Sequence, residues 1–236
     1  MRLPKRQVVF SALTGLLALL AGCTALNRPY PAKRCFALEL TQRPERLRQP
    51  TSATMRVRQF RVSPPYHQAQ FIYRLGEGEF KCDYYDEFIA PPAELLTDRA
   101  IAWLCDSSTF RTTFQGNSAA DHDLVLEAIV TSLYGDYTDA VAPAAVLAIH
   151  FFVLAEEGTR TNVIFDRTYS ERVSLGGHEP DMLVHGWSQG LQRILTGLEA
   201  DLRSAPSVNI ALSELGTESA WNSSAVKERL SNGNHE

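Results

Sequence analysis

Residues 145–155 read Ala-Val-Leu-Ala-Ile-His-Phe-Phe-Val-Leu-Ala, apolar throughout except for His150. A run of this length with no 3.6-residue period reads as a strand, and one apolar at both even and odd positions must be covered on both faces. The chain therefore needs further strands on either side of this one and a layer packed against it. Residues 124–130, Leu-Val-Leu-Glu-Ala-Ile-Val, supply a second long apolar strand. Residues 162–175 supply a third, with Val163, Phe165, Tyr169, Val173 and Leu175 on one side and Asp166, Thr168, Ser170 and Arg172 on the other. That alternation predicts a half-exposed strand.

Shorter strands precede these three. Residues 36–40 suggest a first one, and residues 42–52, with Pro44, Pro50 and several arginines, a polar connection. Residues 55–62 partly alternate apolar and basic side chains until Pro64-Pro65-Tyr66 stops them. Residues 70–75 resume as a strand, and Gly76 to Gly78 turns it into residues 79–85. Two helices complete the set. Pro91 and Pro92 suit a first turn, where no amide partner is required, and Leu96, Ala100, Trp103 and Leu104 recur on one face before Asp106-Ser107-Ser108 ends it. From Pro180 to Arg203, Leu183, Trp187, Leu191, Ile194, Leu195, Leu198 and Leu202 form a stripe at helical spacing. The order of strands, helix, strands, helix predicts an α+β fold: one mainly antiparallel sheet with two helices packed on one face.

The amino terminus is of another kind. Arg2, Lys5 and Arg6 precede an apolar stretch over residues 8–20 that is too short to cross a hydrocarbon core, which needs about 20 residues. A basic start, a short apolar run and then small residues describe an export signal. Here the small residues are Leu20-Ala21-Gly22-Cys23, which resemble the lipobox of bacterial lipoproteins, where the chain is cut before the cysteine and the thiol carries lipid. Residues 1–22 are thus expected to be a lipoprotein signal peptide, 23–34 the lipidated Cys23 and its tether, 35–204 one α+β domain, and 205–236 a polar mobile tail. Two or more acyl chains make such an anchor stable, where one would hold only marginally. In Gram-negative lipoproteins an aspartate after the cysteine commonly retains the protein in the inner membrane. Thr24 in that place points to the periplasmic face of the outer membrane.

Without the signal, 20 basic residues face 27 acidic ones, a net charge of about −7. An acidic domain with no cluster of Lys and Arg is a poor match for nucleic acid. Cys35, Cys82 and Cys105 remain after Cys23; Cys82 and Cys105 are the nearest pair, but spacing does not fix a disulfide.

No residue set makes a strong catalytic motif. Gly186-Trp187-Ser188-Gln189-Gly190 matches G-x-S-x-G, which in hydrolases holds a serine on a strained strand-to-helix turn. Here helical spacing runs straight through the motif, and of the acid and then histidine a hydrolase needs downstream only Asp201, on the same predicted helix, and His235 come close, so packing is the better account of Ser188. His67, His122, His150, His178, His185 and His235 lack metal-ligand spacing, and His150 reads as a satisfied face or core residue. No catalytic residue, metal or cofactor is expected beyond the lipid on Cys23. The aromatic cluster Phe80, Tyr84, Tyr85 and Phe88 offers a partner surface or a lipid groove, against core packing as the plainer alternative.

The lipobox, Phe36-Ala37-Leu38, the run from Met55-Arg56-Val57 to Pro65-Tyr66, Phe71-Ile72-Tyr73-Arg74 and the helix from Ala93 to Leu104 together resemble the ABC-type transport auxiliary lipoproteins, the PqiC-like family. The likeness spans roughly residues 35–204. It departs at Glu87-Phe88, where the family usually has tryptophan before the helix. The resemblance implies a non-enzymatic outer-membrane subunit. Its partners would be a periplasmic protein with mammalian-cell-entry (MCE) domains and that protein's ABC permease, in a system moving phospholipids or other hydrophobic molecules between membranes. It leaves room for a homo-oligomer. On this reading Pro64, Pro65, Tyr66, Tyr84, Tyr85 and Phe88 are the expected partner contacts. The alternatives are a free-standing periplasmic lipid carrier and, less favoured, an envelope esterase using Ser188.

Overall fold

In a computed structural model of the chain, residues 32–46, 51–116, 121–157, 160–206 and 208 are described. The chain divides into two compact units at Lys33–Arg34. The signal segment, Cys23, most of the tether and the tail beyond Val208 lie outside the described residues.

The second unit is built on one nine-stranded sheet. Its strands are β1 (Arg34–Phe36), β2 (Thr51–Val57), β3 (Arg61–Val62), β4 (Gln70–Arg74), β5 (Phe80–Phe88), β6 (Phe110–Gln115), β7 (Leu124–Asp136), β8 (Ala144–Glu157) and β9 (Arg160–Ser174). Helix α1 (Pro92–Ser107) falls between β5 and β6, and α2 (Pro180–Ser204) follows β9. The fold is α+β, as the patterning predicts.

Of the apolar runs, β7 takes the middle, whereas β8 lies one strand in from the edge strand β9, correcting the central place expected of residues 145–155. β8 pairs antiparallel along its whole length with β7 on one side and β9 on the other. One face of it carries Ala145, Leu147, Ile149, Phe151 and Val153 into the core beneath the helices. The opposite side of β7 is shared in succession by β2, β3 and β4, all parallel to it, with β6 flanking β2 and the β4–β5 hairpin and β1 flanking the far end. The long ladders are thus antiparallel and the short ones parallel except for the β4–β5 hairpin, a mixture that apolar patterning does not distinguish.

Several local differences have clear causes. The segment 55–62 is one pass along β7 with a bulge: Val57 sits opposite Leu126 but Arg61 opposite Ile129, one residue extra. The bulge turns Phe60 into the core, where its N–H donates to Thr97 Oγ1 of α1 at 2.9 Å. The first strand lies at Arg34–Phe36, earlier than its apolar residues suggest. The chain after it crosses α2 instead, burying Leu38 and donating the Glu39 N–H to Ser188 Oγ at 3.2 Å. β6, Phe-Arg-Thr-Thr-Phe-Gln, gave no sequence signal because its apolar residues sit only at its ends. In β9 the register slips between Phe165, opposite Val153, and Val163, opposite Leu154. That bulge packs Ile164 as well as Phe165 against the core and leaves Val163 exposed, correcting the expected inward position of Val163.

Both helices start with proline at N1 and an acid in the first turn, Glu94 and Asp181, matching the dipole. α1 stops at Ser108 in left-handed conformation. A buried polar tie joins the helices: Trp103 Nε1–H donates to Glu199 Oε2 at 2.9 Å, and Arg203 pairs with the same carboxylate. Trp187 is the central wedge. Its ring meets Phe71 and Phe88 at 5.1 and 5.2 Å, and its Nε1–H is shared between the carbonyls of Val146 and Tyr134.

Candidate functional site

The G-x-S-x-G motif serves packing. A Cβ on Gly186 would come within 2.7 Å of both Ala145 Cβ and Leu175 Cδ2, and one on Gly190 within 3.4 Å of Glu171 Cβ. The two glycines, one turn apart, let α2 settle directly on β8 and β9. Ser188 is buried between them with its hydroxyl occupied by the Glu39 amide. No hydrolase-like histidine or acid is bonded to it among the described residues.

The expected partner residues divide into three groups. Phe88 belongs to the core: it is 3% exposed and packs on Phe71 and Trp187, because it ends β5 on the inner side. Its expected role in partner contact is therefore corrected. Pro64, Pro65 and Tyr66 form a single 3-10 turn between β3 and β4, the prolines exposed and Tyr66 half-buried. Tyr66 stacks on Tyr134 at 6.0 Å, and Phe80, 49% exposed, meets Tyr134 edge-on at 5.7 Å. The turn, the end of β7 and the start of β5 thus assemble a three-ring surface patch. Burial raises the Tyr66 hydroxyl above its usual range, reinforced by Tyr134 and opposed by the Arg74 charge. Tyr134 was missed in sequence because β7 bulges at Thr131, which breaks the strand's two-residue period.

Tyr84 and Tyr85 form a third group, stacked edge to face at 5.1 Å on a wide bulge of β5. Gln70 lies opposite Glu87 and Ile72 opposite Cys82, so five steps of β5 oppose two of β4. Asp83 organises the excursion. Its Oδ1 accepts the amides of Tyr85 and Asp86 at 2.7 and 3.0 Å, and its Oδ2 accepts the Tyr73 hydroxyl at 2.8 Å. Partial burial pushes the Asp83 carboxyl upward, but these donors outweigh it and hold the group below the ordinary aspartate range. Tyr84 is left 71% exposed. Beside the bulge, Arg34 pairs with buried Asp86 at 2.7 Å and with Asp181 of α2 at 3.5 Å. Arg34, at the start of β1, thus ties the Asp83 bulge of β5 to the start of α2.

An apolar groove of about 340 Å³ opens at the same start of α2, lined by Val173, Leu175, Met182 and Gly186, with Asp181 and His185 among its polar lining. His150 faces Asp166 at 2.5 Å on the sheet face away from the helices, a satisfied face residue as expected. His122 shares Glu156 with Arg56 and Arg58. Cys35, Cys82 and Cys105 are free and exposed. Among the described residues no cluster of three or more His, Cys, Asp or Glu is arranged to hold a metal ion, and no helix is long and apolar enough to cross a membrane.

The fold has known counterparts. A protein from Xanthomonas campestris assigned to DUF330 superposes with a TM-score of 0.63 at 16% identity, covering 78% of this chain and 99% of that one. A second, uncharacterized protein gives 0.54 at 16% identity over 72% and 99%. No protein-family model matches the chain, and no curated protein matches its sequence. The described domain therefore has the fold of the Xanthomonas DUF330 protein: a curled α+β sheet with two helices on one face.

Proposed function

We propose that the protein is a lipid-anchored accessory subunit of an MCE-type ABC transporter, fixed by Cys23 to the periplasmic face of the outer membrane. The observation that carries this reading is the Leu20-Ala21-Gly22-Cys23 string, which resembles a lipobox, ahead of a domain that presents exposed aromatic rings. The resemblance to PqiC-like lipoproteins supports the transporter, and likeness in fold to the DUF330 protein is compatible with it. The protein works by binding rather than by catalysis. Its contacts to the MCE-domain protein and permease run through Pro64, Pro65 and Tyr66, with Phe80 and Tyr134 completing that patch, and through Tyr84 and Tyr85. Exposed aromatic rings on a rigid frame suit interface cores.

The test is a crosslinked pull-down from membranes with the full-length lipoprotein as bait. Recovery of an MCE-domain protein, reduced when Tyr84→Ala or Tyr66→Ala is introduced, supports the assignment; repeated recovery of none overturns it. Cys23→Ser should move the protein out of the membrane fraction. The groove at the start of α2 favours a second reading, a free-standing carrier that shields an acyl chain. Native mass spectrometry decides between them, because a carrier retains phospholipid through purification.

A further inference from the structure

β9 bonds to β8 on one side, and among the described residues no strand joins its other edge. From Phe165 to Ser174 its register against β8 is unbroken, since the bulge at Ile164 lies before this stretch. Proteins usually blunt an open edge with bulges, short strands or charge. Here the charges follow an order that does more than repel. We infer that two copies of this chain pair antiparallel through β9 about a twofold axis at Tyr169, continuing one sheet into the other.

Register selects this pairing. In such a pair each residue faces the one equally far beyond the axis. With Tyr169 on the axis, Asp166 faces Arg172, Arg167 faces Glu171, Thr168 faces Ser170 and Phe165 faces Val173. All four charges meet the opposite sign, on both faces of the sheet at once. An axis at residue 166, 167, 171 or 172 sets a charge against its own copy, which is unfavourable. An axis at 168 or 170 leaves every one of these charges opposite an uncharged residue. Asp166, Arg167 and Arg172 are 59%, 54% and 52% exposed and Glu171 29%, and each also has a partner within the chain, in His150, Asp201, Asp136 and Arg193, which pairing would have it share.

The helices do not obstruct the pairing. Gly186 rests against Ala145 of β8, and Gly190 lies between Leu147 of β8 and Glu171 and Val173 of β9, so α2 runs over the seam of these strands. With strands about 4.8 Å apart, the two α2 axes come to lie about 10 Å from each other. That is the ordinary spacing of packed helices.

The full-length lipoprotein, with Cys35→Ser, Cys82→Ser and Cys105→Ser, provides the test in isolated membranes under mild oxidant. Thr168→Cys combined with Ser170→Cys should give a disulfide-linked dimer on a non-reducing gel. Thr168→Cys alone should give at least tenfold less, because residue 168 then faces its own copy only on the diagonal, beyond disulfide reach. Adding Asp166→Arg to the double-cysteine chain should lower the yield at least tenfold by setting arginine against Arg172. Absence of the dimer, equal yield from the single cysteine, or indifference to Asp166→Arg would each overturn the inference.

Discussion

β7 divides the sheet into two unlike halves. On one side β8 and β9 are long, antiparallel and joined by direct returns, and α2 lies flat on them. On the other side β2, β3, β4 and the strands beyond them are short, largely parallel, and broken by a bulge, a 3-10 turn and the Asp83 excursion. The long half carries the frame. The patched half carries the exposed rings, since each break in a ladder turns side chains such as Tyr66 and Tyr84 away from their strand's regular course.

The sharpest way to break this division is at Trp187, which belongs to α2 but wedges against Phe71 and Phe88 of the patched half. Trp187→Ala removes a buried indole and leaves a cavity, at about 3–5 kcal/mol. Thermal unfolding should fall by on the order of 10 °C. A loss of only a degree or two would mean that the halves hold together without it.

Gly186→Ala tests the long half alone. Its new Cβ would press on Ala145 and Leu175, so overpacking of about 1–3 kcal/mol is expected in urea titration. Unchanged stability would show that α2 can lift from β8 freely.

Acid probes both halves. Asp83 on the patched side is held low by its donors against a burial effect of opposite sign. On the long side, Asp201 is held low by Arg167 and Tyr169, and Asp136 by Thr138 and Arg172 against burial. Each folded value lies below the unfolded one of about 3.9, so the stability these groups give is present above that pH and lost as pH falls through the folded values. Unfolding free energy should therefore drop below about pH 4. Asp83→Asn should start about 1 kcal/mol lower at neutral pH and fall less steeply in acid. An identical acid slope would remove Asp83 from this account.

The smallest effect on stability is expected at Tyr84. Tyr84→Ala on the exposed bulge should change unfolding by no more than about 0.5 kcal/mol. It should nevertheless reduce capture of the proposed MCE-domain partner in the crosslinked pull-down, separating the presenting half from the frame.

Much of the long half was legible in advance. The apolar run at 145–155, the stripe of α2 and the alternation along β9 each repeat a local period over enough residues to be unmistakable. Legibility failed where tertiary contact overrode the period, at Val163, at Phe60 and at Tyr134 beyond the bulge in β7, and at β6, whose residues carry no period. For the candidate site, the sequence singled out Pro64–Tyr66 and the Tyr84–Tyr85 pair. Only packing showed that Phe88 is core and that Phe80 and Tyr134 join Tyr66.

By itself, then, the sequence determined the α+β class and the three long strands with the helix that follows them, because these depend on local composition and spacing. Strand direction, the placing of the bulges and the exposure of individual rings were decided only by tertiary structure. A half-buried strand reads the same whether its neighbour runs parallel or antiparallel. A single extra residue reverses which side faces water, and that residue is admitted or refused by the packing around it.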